Sequence, residues 1–397
     1  AACLAGGKAQ TIQAFTCCGA AAEGAGNLFL RNDGGKPTDA TVATGTAGLG
    51  ASLALLPADV DRDGWTDLVV GDAFGPSGVL RNPASGPWGW QSASVGMRPW
   101  GHTAGLAAGD LDGDGALDLL TADIGPHALL RGQAAGGWQV QGGANGLWSA
   151  TADAAGAALL AADFDNDGWL DVGAARSWAA QPGQLVTAIN GPASGGQAAP
   201  AAPVLLRNLG PAGFVGAALP FEATVAAGLD PVALAATDFD GDGDLDLAAV
   251  GPNGALRVLR NDSPAQHWLQ LDLGPTASAP GGVGAVVQVW AQDRVQERGV
   301  QWTAASGAHG LYSQHFGLGA VAKIDQVVVW WPSGKVQVLP APKVDQVLTL
   351  IEDDAQGPGT PAADAGTPDA DAGSETTASD VGPSGIVPVQ LANQPLA

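Results

Sequence analysis

Between residues 50 and 265 the chain alternates small-apolar segments with tight polar clusters. Ala51 to Ala58 leads into an acidic cluster, Leu68-Val69-Val70 follows it, a Gly- or Pro-marked turn comes next, and an apolar stretch ending in Leu-Arg-Asn or a variant closes the unit. The unit recurs at intervals of roughly 50 residues, which predicts four short strands per repeat separated by turns, the pattern of a propeller blade. From His267 the pattern changes. Trp268–Leu273, Ala285–Trp290 and Gln326–Trp331 are alternating or continuous β-formers and predict the strands of a separate β domain over residues 266–351. Beyond it, residues 352–385 are rich in Pro, Ala and Asp, which reads as an acidic linker, and residues 386–397 open with a last strand-like piece, Ile386-Val387-Pro388-Val389-Gln390-Leu391.

The polar clusters are four copies of one motif. Asp59, Asp61, Asp63 and Asp67 are followed by Asp110, Asp112, Asp114 and Asp118, by Asp163, Asp165, Asp167 and Asp171, and by Asp238, Asp240, Asp242 and Asp246, with Gly64, Gly115, Gly168 and Gly243 at the sixth position. The third interval is longer because a charge-free insert near 181–203 reads as a surface loop. The second repeat, Leu-Arg-Asn, has five copies, at Leu30, Leu80, Leu130 (followed by Arg131-Gly132), Leu206 and Leu259. Its first copy lacks an acidic loop, so the expectation is four full blades and a partial one at the N-terminus, completed by strands from elsewhere.

Carboxylates at positions 1, 3, 5 and 9, a glycine for the sharp turn at 6 and a backbone carbonyl at 7 gather hard oxygen ligands around a point, and this is calcium chemistry. Zinc would want His or Cys nearby. A helix-loop-helix calcium site is excluded because its twelfth-position Glu is replaced by Val70, Thr121, Ala174 and Ala249. About four Ca²⁺ ions are expected. A solvated acidic turn explains one such copy; it does not explain four with the same glycine and the same spacing. On these motifs the chain resembles the FG-GAP or VCBS repeats, across residues 25–265, and the resemblance implies a calcium-binding β-propeller of a secreted protein. Gly281-Gly-Val-Gly-Ala285, Leu311 to Gly319 and Trp331-Pro-Ser-Gly-Lys335 are similar to the ASPIC and UnbV domain, as in the cartilage-acidic-protein-like family. That resemblance implies a small antiparallel β domain after the propeller and no known reaction.

Composition adds constraints. Gly 60 and Pro 27 make up about a fifth of 397 residues, which disfavours a helical bundle. A net charge of −23 opposes binding to nucleic acid and anionic lipid, and no apolar run predicts a transmembrane segment. The chain opens Ala-Ala-Cys without Met, and the expectation is a mature end left by removal of a targeting peptide, in a secreted or cell-surface protein. Cys3, Cys17 and Cys18 all fall within residues 1–24, an N-terminal segment expected to be pinned by one disulfide from Cys3 to Cys17 or Cys18. The five histidines form no zinc-protease or haem-attachment motif, and Ser313 beside His315 lacks the elbow and acid of a hydrolase. The thirteen tryptophans, Trp65 and Trp169 among them, are expected to pack between blades.

The fold expected is therefore all-β: a propeller, a C-terminal antiparallel β domain and an extended tail. The function expected is that of a non-enzymatic, secreted, calcium-binding structural or adhesion protein. It is expected to assemble with itself into a surface filament by donating Ile386, Val387, Val389 and Leu391 as a strand to an open sheet edge of a neighbour. A monomeric propeller that binds a surface glycan or protein is the alternative, and an enzyme of unknown chemistry the second.

Overall fold

The computed structural model describes residues 27–33, 36–46, 52–72, 75–83, 85–92, 95–97, 103–123, 128–133, 136–141, 154–179, 204–216, 231–251, 254–278, 280–300, 308–309 and 313–352. Cys3, Cys17 and Cys18 and the segment Ile386–Leu391 lie outside them. Among the described residues there is no α-helix, and no helix is long and apolar enough to cross a membrane.

The first strands, β1 (Leu30–Asp33) and β2 (Lys36–Asp39), form a two-stranded hairpin with no third strand among the described residues. Three four-stranded antiparallel meanders follow. They are β3 (Ser52–Ala58), β4 (Asp67–Asp72), β5 (Gly78–Arg81) and β6 (Gly89–Gln91); β7 (Thr103–Gly109), β8 (Asp118–Asp123), β9 (Ala128–Gly132) and β10 (Trp138–Val140); and β11 (Ala154–Ala162), β12 (Asp171–Ala179), β13 (Val204–Asn208) and β14 (Phe214–Gly216). The fourth repeat contributes β15 (Ala233–Thr237), β16 (Asp246–Val250) and β17 (Leu256–Leu259), and among the described residues no fourth strand lies beyond β17. In every repeat the acidic motif is the turn between the first and second strands, with its ninth residue opening the second.

The apolar runs are explained by burial on both faces. Side chains alternate across a strand, and in the middle sheets each set meets a different neighbour. Leu106, Leu119 and Leu130 face Leu56, Val69 and Val79 of the sheet before, whereas Ala107, Leu120 and Leu129 face Leu159, Val172 and Leu206 of the sheet after. A third core joins Leu160 and Phe164 to Leu234, Leu245, Leu247 and Leu259. Successive blades thus pack face to face, and a blade with two buried faces shows no polar alternation.

The C-terminal unit is a sandwich around Leu269, Val287, Phe316, Val329 and Trp331. It comprises β18 (His267–Gly274), β19 (Val286–Ala291), β20 (Arg294–Gly299), β21 (Ala308–His309), β22 (Gln314–Gly319), β23 (Gln326–Trp330), β24 (Val336–Pro340) and β25 (Gln346–Ile351). One sheet has the order β22-β18-β25 and the other β20-β19-β23-β24. The strand pairings of the sandwich are antiparallel, as expected, with one exception. β25 runs parallel to β18, from Leu269 opposite Gln346 to Gly274 opposite Ile351, because the chain crosses the second sheet before returning. The two-residue β21 leaves the sandwich and pairs in parallel with β15, so a strand from elsewhere joins the fourth blade at the edge opposite β17; among the described residues none joins the β1–β2 hairpin.

Leu106 is fully buried between the first two blades. Leu106→Ala is expected to lower unfolding free energy by about 2–5 kcal/mol with an unchanged denaturant slope, measured by urea denaturation.

Candidate metal centres

Each acidic turn is built by one set of backbone bonds. The position-one carboxylate accepts the N–H of the position-six glycine: Gly64 to Asp59 at 2.8 Å, Gly115 to Asp110 at 3.1 Å, Gly168 to Asp163 at 2.8 Å and Gly243 to Asp238 at 3.0 Å. That closure needs left-handed backbone at position six, where φ is 89°, 80°, 90° and 94° in chain order, a conformation only glycine adopts without strain. Position four is left-handed as well, at Arg62, Gly113, Asn166 and Gly241. The position-five carboxylates of Asp63, Asp114, Asp167 and Asp242 accept the N–H two residues on, an Asx turn inside the loop.

The ninth position ties the turn to the rest of the blade. One oxygen of Asp67, Asp118, Asp171 and Asp246 accepts the N–H of position two, at Val60, Leu111, Phe164 and Phe239. The other accepts the N–H at the end of the third strand, at Asn82, Gly132, Asn208 and Asn261. These four aspartates are 0–1% exposed.

Three carboxylates then converge in every turn. Ligand oxygens of Asp59, Asp61 and Asp67, of Asp110, Asp112 and Asp118, of Asp163, Asp165 and Asp171, and of Asp238, Asp240 and Asp246 lie within 4.8 Å of one another. Twelve of the sixteen aspartates singled out in the sequence are thereby brought together; the position-five residues stand outside these trios. An all-oxygen anionic donor set suits a hard divalent cation. Its electrostatics point the same way. Burial first, then the neighbouring carboxylates, push Asp59 and Asp163 up to about 7 and Asp110 up to about 6. Asp118 also rises to about 7 through burial, although Arg131 pulls it down.

The Leu-Arg-Asn repeat supplies a residue that the motif alone did not flag. Arg81 Nη1 lies 2.6 Å from Asp67 and 3.2 Å from Asp61, and Arg131 Nη1 lies 2.6 Å from Asp118 and 3.2 Å from Asp112. Arg207 pairs with Asp165 and Asp167, whereas Arg260 stands off at 3.7 Å from Asp240 and pairs with Asp262. The signal was present as a similar interval in the first two repeats, 14 residues from Asp67 to Arg81 and 13 from Asp118 to Arg131, which the insert near 181–203 breaks in the third. The first three turns therefore carry one arginine within the acidic cluster, the fourth has one at its edge, and all four retain negative charge. Trp169 packs between repeats as expected, against Gly113 and Gly210. Ser313 and His315 are not partnered with each other: Ser313 donates to Asp272, and His315 Nε2 meets Asn166.

Comparison with known proteins agrees with this arrangement. Residues 59–121, the first two turns, match the FG-GAP-like repeat, and residues 275–357 match ASPIC and UnbV. The chain carries an FG-GAP-like repeat followed by an ASPIC/UnbV segment. Cartilage acidic protein 1 of Mus musculus is 29% identical over 327 residues, which cover 78% of this chain and 45% of the mouse protein. The chain thus spans less than half the length of that curated relative. Among solved structures, an Agrocybe aegerita lectin specific for non-reducing terminal N-acetylglucosamine is 18% identical over 59% of this chain and 60% of its own, with a TM-score of 0.37. The BP39L lectin of Burkholderia pseudomallei is 12% identical over 72% and 80%, with a TM-score of 0.30. Superpositions this loose carry no residue-level correspondence.

A buried carboxylate whose folded pKa lies near 7, against roughly 3.9 unfolded, binds more protons folded than unfolded across that interval, so stability falls as pH rises through it. With chelator present, the protein is expected to melt at a higher temperature at pH 5 than at pH 7.5, and added divalent cation is expected to raise Tm more at pH 7.5. Scanning calorimetry checks both; a chelated Tm that climbs with pH contradicts the electrostatic account.

Proposed function

We propose that this FG-GAP and ASPIC/UnbV chain is a calcium-braced, non-enzymatic binding or adhesion module of the extracellular space. The observation that carries the reading is the fourfold convergence of three carboxylates on one glycine-closed turn; in the first and third turns burial and the neighbouring carboxylates push Asp59 and Asp163 up to about 7. Calcium would be held by Asp59, Asp61 and Asp67 and their three counterpart sets, with Asp63, Asp114, Asp167 and Asp242 as the remaining acidic oxygens of the turns. It would supply positive charge where one arginine per turn leaves an excess of carboxylate, so that binding and blade stability are linked. Modules with millimolar to submillimolar calcium affinity suit an extracellular setting. The separate partners of Ser313 and His315 count against the one serine–histidine pair that the sequence offers side by side.

Self-assembly is favoured by one further observation. The outer edge of β17 is unpaired among the described residues, and Leu256 and Val258 there are 57% and 45% exposed, where the other blades carry a fourth strand. Ile386–Leu391 of a second copy is the occupant we assign to it, with Pro388 confining the added strand to an edge. Residues 353–385 reach on the order of 110 Å when extended, enough to cross to a neighbour. Repeated head to tail, such a contact builds a filament.

Titration calorimetry on chelated protein is expected to detect about four calcium ions, with a rise in Tm; no binding at millimolar calcium overturns the reading. Deleting residues 353–397, or introducing Val258→Asp, is expected to abolish assembly seen by electron microscopy and leave the calcium titration unchanged. If the deletion assembles like the full chain, strand donation is wrong.

A further inference from the structure

The third acidic turn is unlike the other three in what covers it. The C-terminal sandwich sits on it with β20 and β22. Arg294 places its guanidinium 3.8 Å from the centroid of the Trp169 ring and donates to the carbonyls of Asp167 at 3.0 Å and Gly168 at 2.7 Å. The N–H of Gly319 donates to the Asn166 carbonyl at 2.6 Å, and His315 Nε2 lies 2.7 Å from Asn166 Oδ1. Asn166 in turn donates to the Gly243 carbonyl at 3.2 Å and to Asp244 at 2.7 Å, which joins the third turn to the fourth. Every residue from 166 to 169 is therefore gripped by the sandwich. Close approach is possible because Gly168 and Gly317 have no Cβ: one on Gly317 would run into Asp163 and Asn166, and one on Gly168 into Arg294.

Under this contact lies a cavity of about 40 Å³ bordered by Asp163, Arg298, Ser313 and His315. Asp163 Oδ1, Arg298 Nε and His315 Nδ1 are buried around it with no hydrogen-bond partner in the structure. Because the Asn166 amide nitrogen donates elsewhere, its oxygen accepts from His315 Nε2, and the Nδ1 atom facing the cavity is a lone pair. One donor and two acceptors thus remain open, in a space that holds about three waters at roughly 10–15 Å³ each. The one unpartnered carboxylate oxygen of a position-one aspartate belongs to the turn that the sandwich covers.

We propose that the third turn is a calcium-dependent clasp: ion binding by Asp163, Asp165 and Asp171 and docking of Arg294, Arg298 and His315 are two halves of one equilibrium. The proposal rests on the calcium reading of the turns. Its logic is geometric. The carbonyls of Asp167 and Gly168 face Arg294 only while Asp163 holds the Gly168 N–H, and without a cation the crowded carboxylates of this turn repel one another and open it. Conversely, an undocked turn is wet and loses the fixed Asn166 and Asp167 backbone that preorganises it. Reciprocity of linkage then requires that whatever calcium adds to docking, docking adds to calcium affinity. The first turn meets the sandwich through Arg62 and Glu297 at 3.5 Å and through Val60, which shares a core with Val286, and the fourth turn packs Gly243 against Trp268. Among the described residues the third is the turn whose backbone carbonyls accept hydrogen bonds from the sandwich, at Asn166, Asp167 and Gly168.

Arginine footprinting of the full chain with phenylglyoxal, mapped by mass spectrometry, tests this. In excess calcium Arg294 and Arg298 are expected to stay unlabelled while the exposed Arg257 reacts; with chelator, both are expected to react at rates within about tenfold of Arg257. Asp165→Asn is expected to lose one ion and to expose both arginines in calcium, whereas Asp112→Asn in the second turn loses one ion and leaves them protected. Amide exchange across β19 reports whether the sandwich itself stays folded. Loss of an ion in Asp165→Asn with Arg294 still protected overturns the clasp and leaves the calcium reading standing; absence of calcium binding by the unaltered protein overturns both. If Asp165→Asn unfolds β19, Arg294→Ala decides: one calcium site weakened by about tenfold supports the clasp, and four unchanged affinities overturn it.

Discussion

Each blade hangs on one buried carboxylate. The ninth-position aspartate holds the N–H of position two with one oxygen and the N–H at the end of the third strand with the other, so a single side chain fixes both the turn and the strand pairing beside it. Backbone donors buried this deeply need a partner, and the same pair of bonds recurs at Asp67, Asp118, Asp171 and Asp246. The proposed metal ligation would therefore use a residue that the backbone already requires. The bracket also explains why the aspartate opens its strand in all four copies: moved one residue along, its side chain would point to the other face of the sheet.

The repeat was legible because both of its determinants are local. Asp and Gly at fixed offsets specify the turn, and the small-apolar runs on either side specify strands buried on two faces. The Leu-Arg-Asn repeat was visible too, but its partnership with the acidic turn was not, since Arg207 reaches Asp167 across 40 residues of sequence that include the long insert. The fourth blade, to which its own repeat contributes three strands, was less legible for a similar reason. Its third strand ends in Leu259-Arg260-Asn261 like the others, and only the direction the chain takes afterwards, into β18, decides that no outer strand follows.

Contacts between the blades and the sandwich left no trace in the pattern. Arg294, Arg298 and His315 read as ordinary polar positions in β-forming segments, and His315 was notable only for its neighbour Ser313. In three dimensions the guanidinium of Arg298 is fully buried and burial lowers its pKa to about 10, while His315 is driven down to about 3 for the same reason. Two groups so far from their solution behaviour are held there by a surface more than a hundred residues away. Periodicity reports which face of a strand is apolar, and it carries no information about which distant turn a polar face will meet.

Near its described end the chain is fastened in a way that bears on how it would carry tension. Glu352 accepts the N–H groups of Thr276, Ala277 and Ser278 and the Ser278 hydroxyl; burial would raise its pKa, but the bonds from Ser333, Ser278 and Ala277 hold it at about 2. Just before it, β25 lies parallel to β18, the strand by which the blades enter the sandwich. A pull between the blades and residue 352 enters β18 at its start and leaves β25 at its end. In that geometry the load runs along both strands, so the ladder is sheared as a unit and its hydrogen bonds resist together, whereas an antiparallel hairpin loaded at its open end would unzip one bond at a time. Resistance to force is a matter of the unfolding rate rather than of equilibrium stability, and here it would be set by the least conspicuous pairing in the molecule.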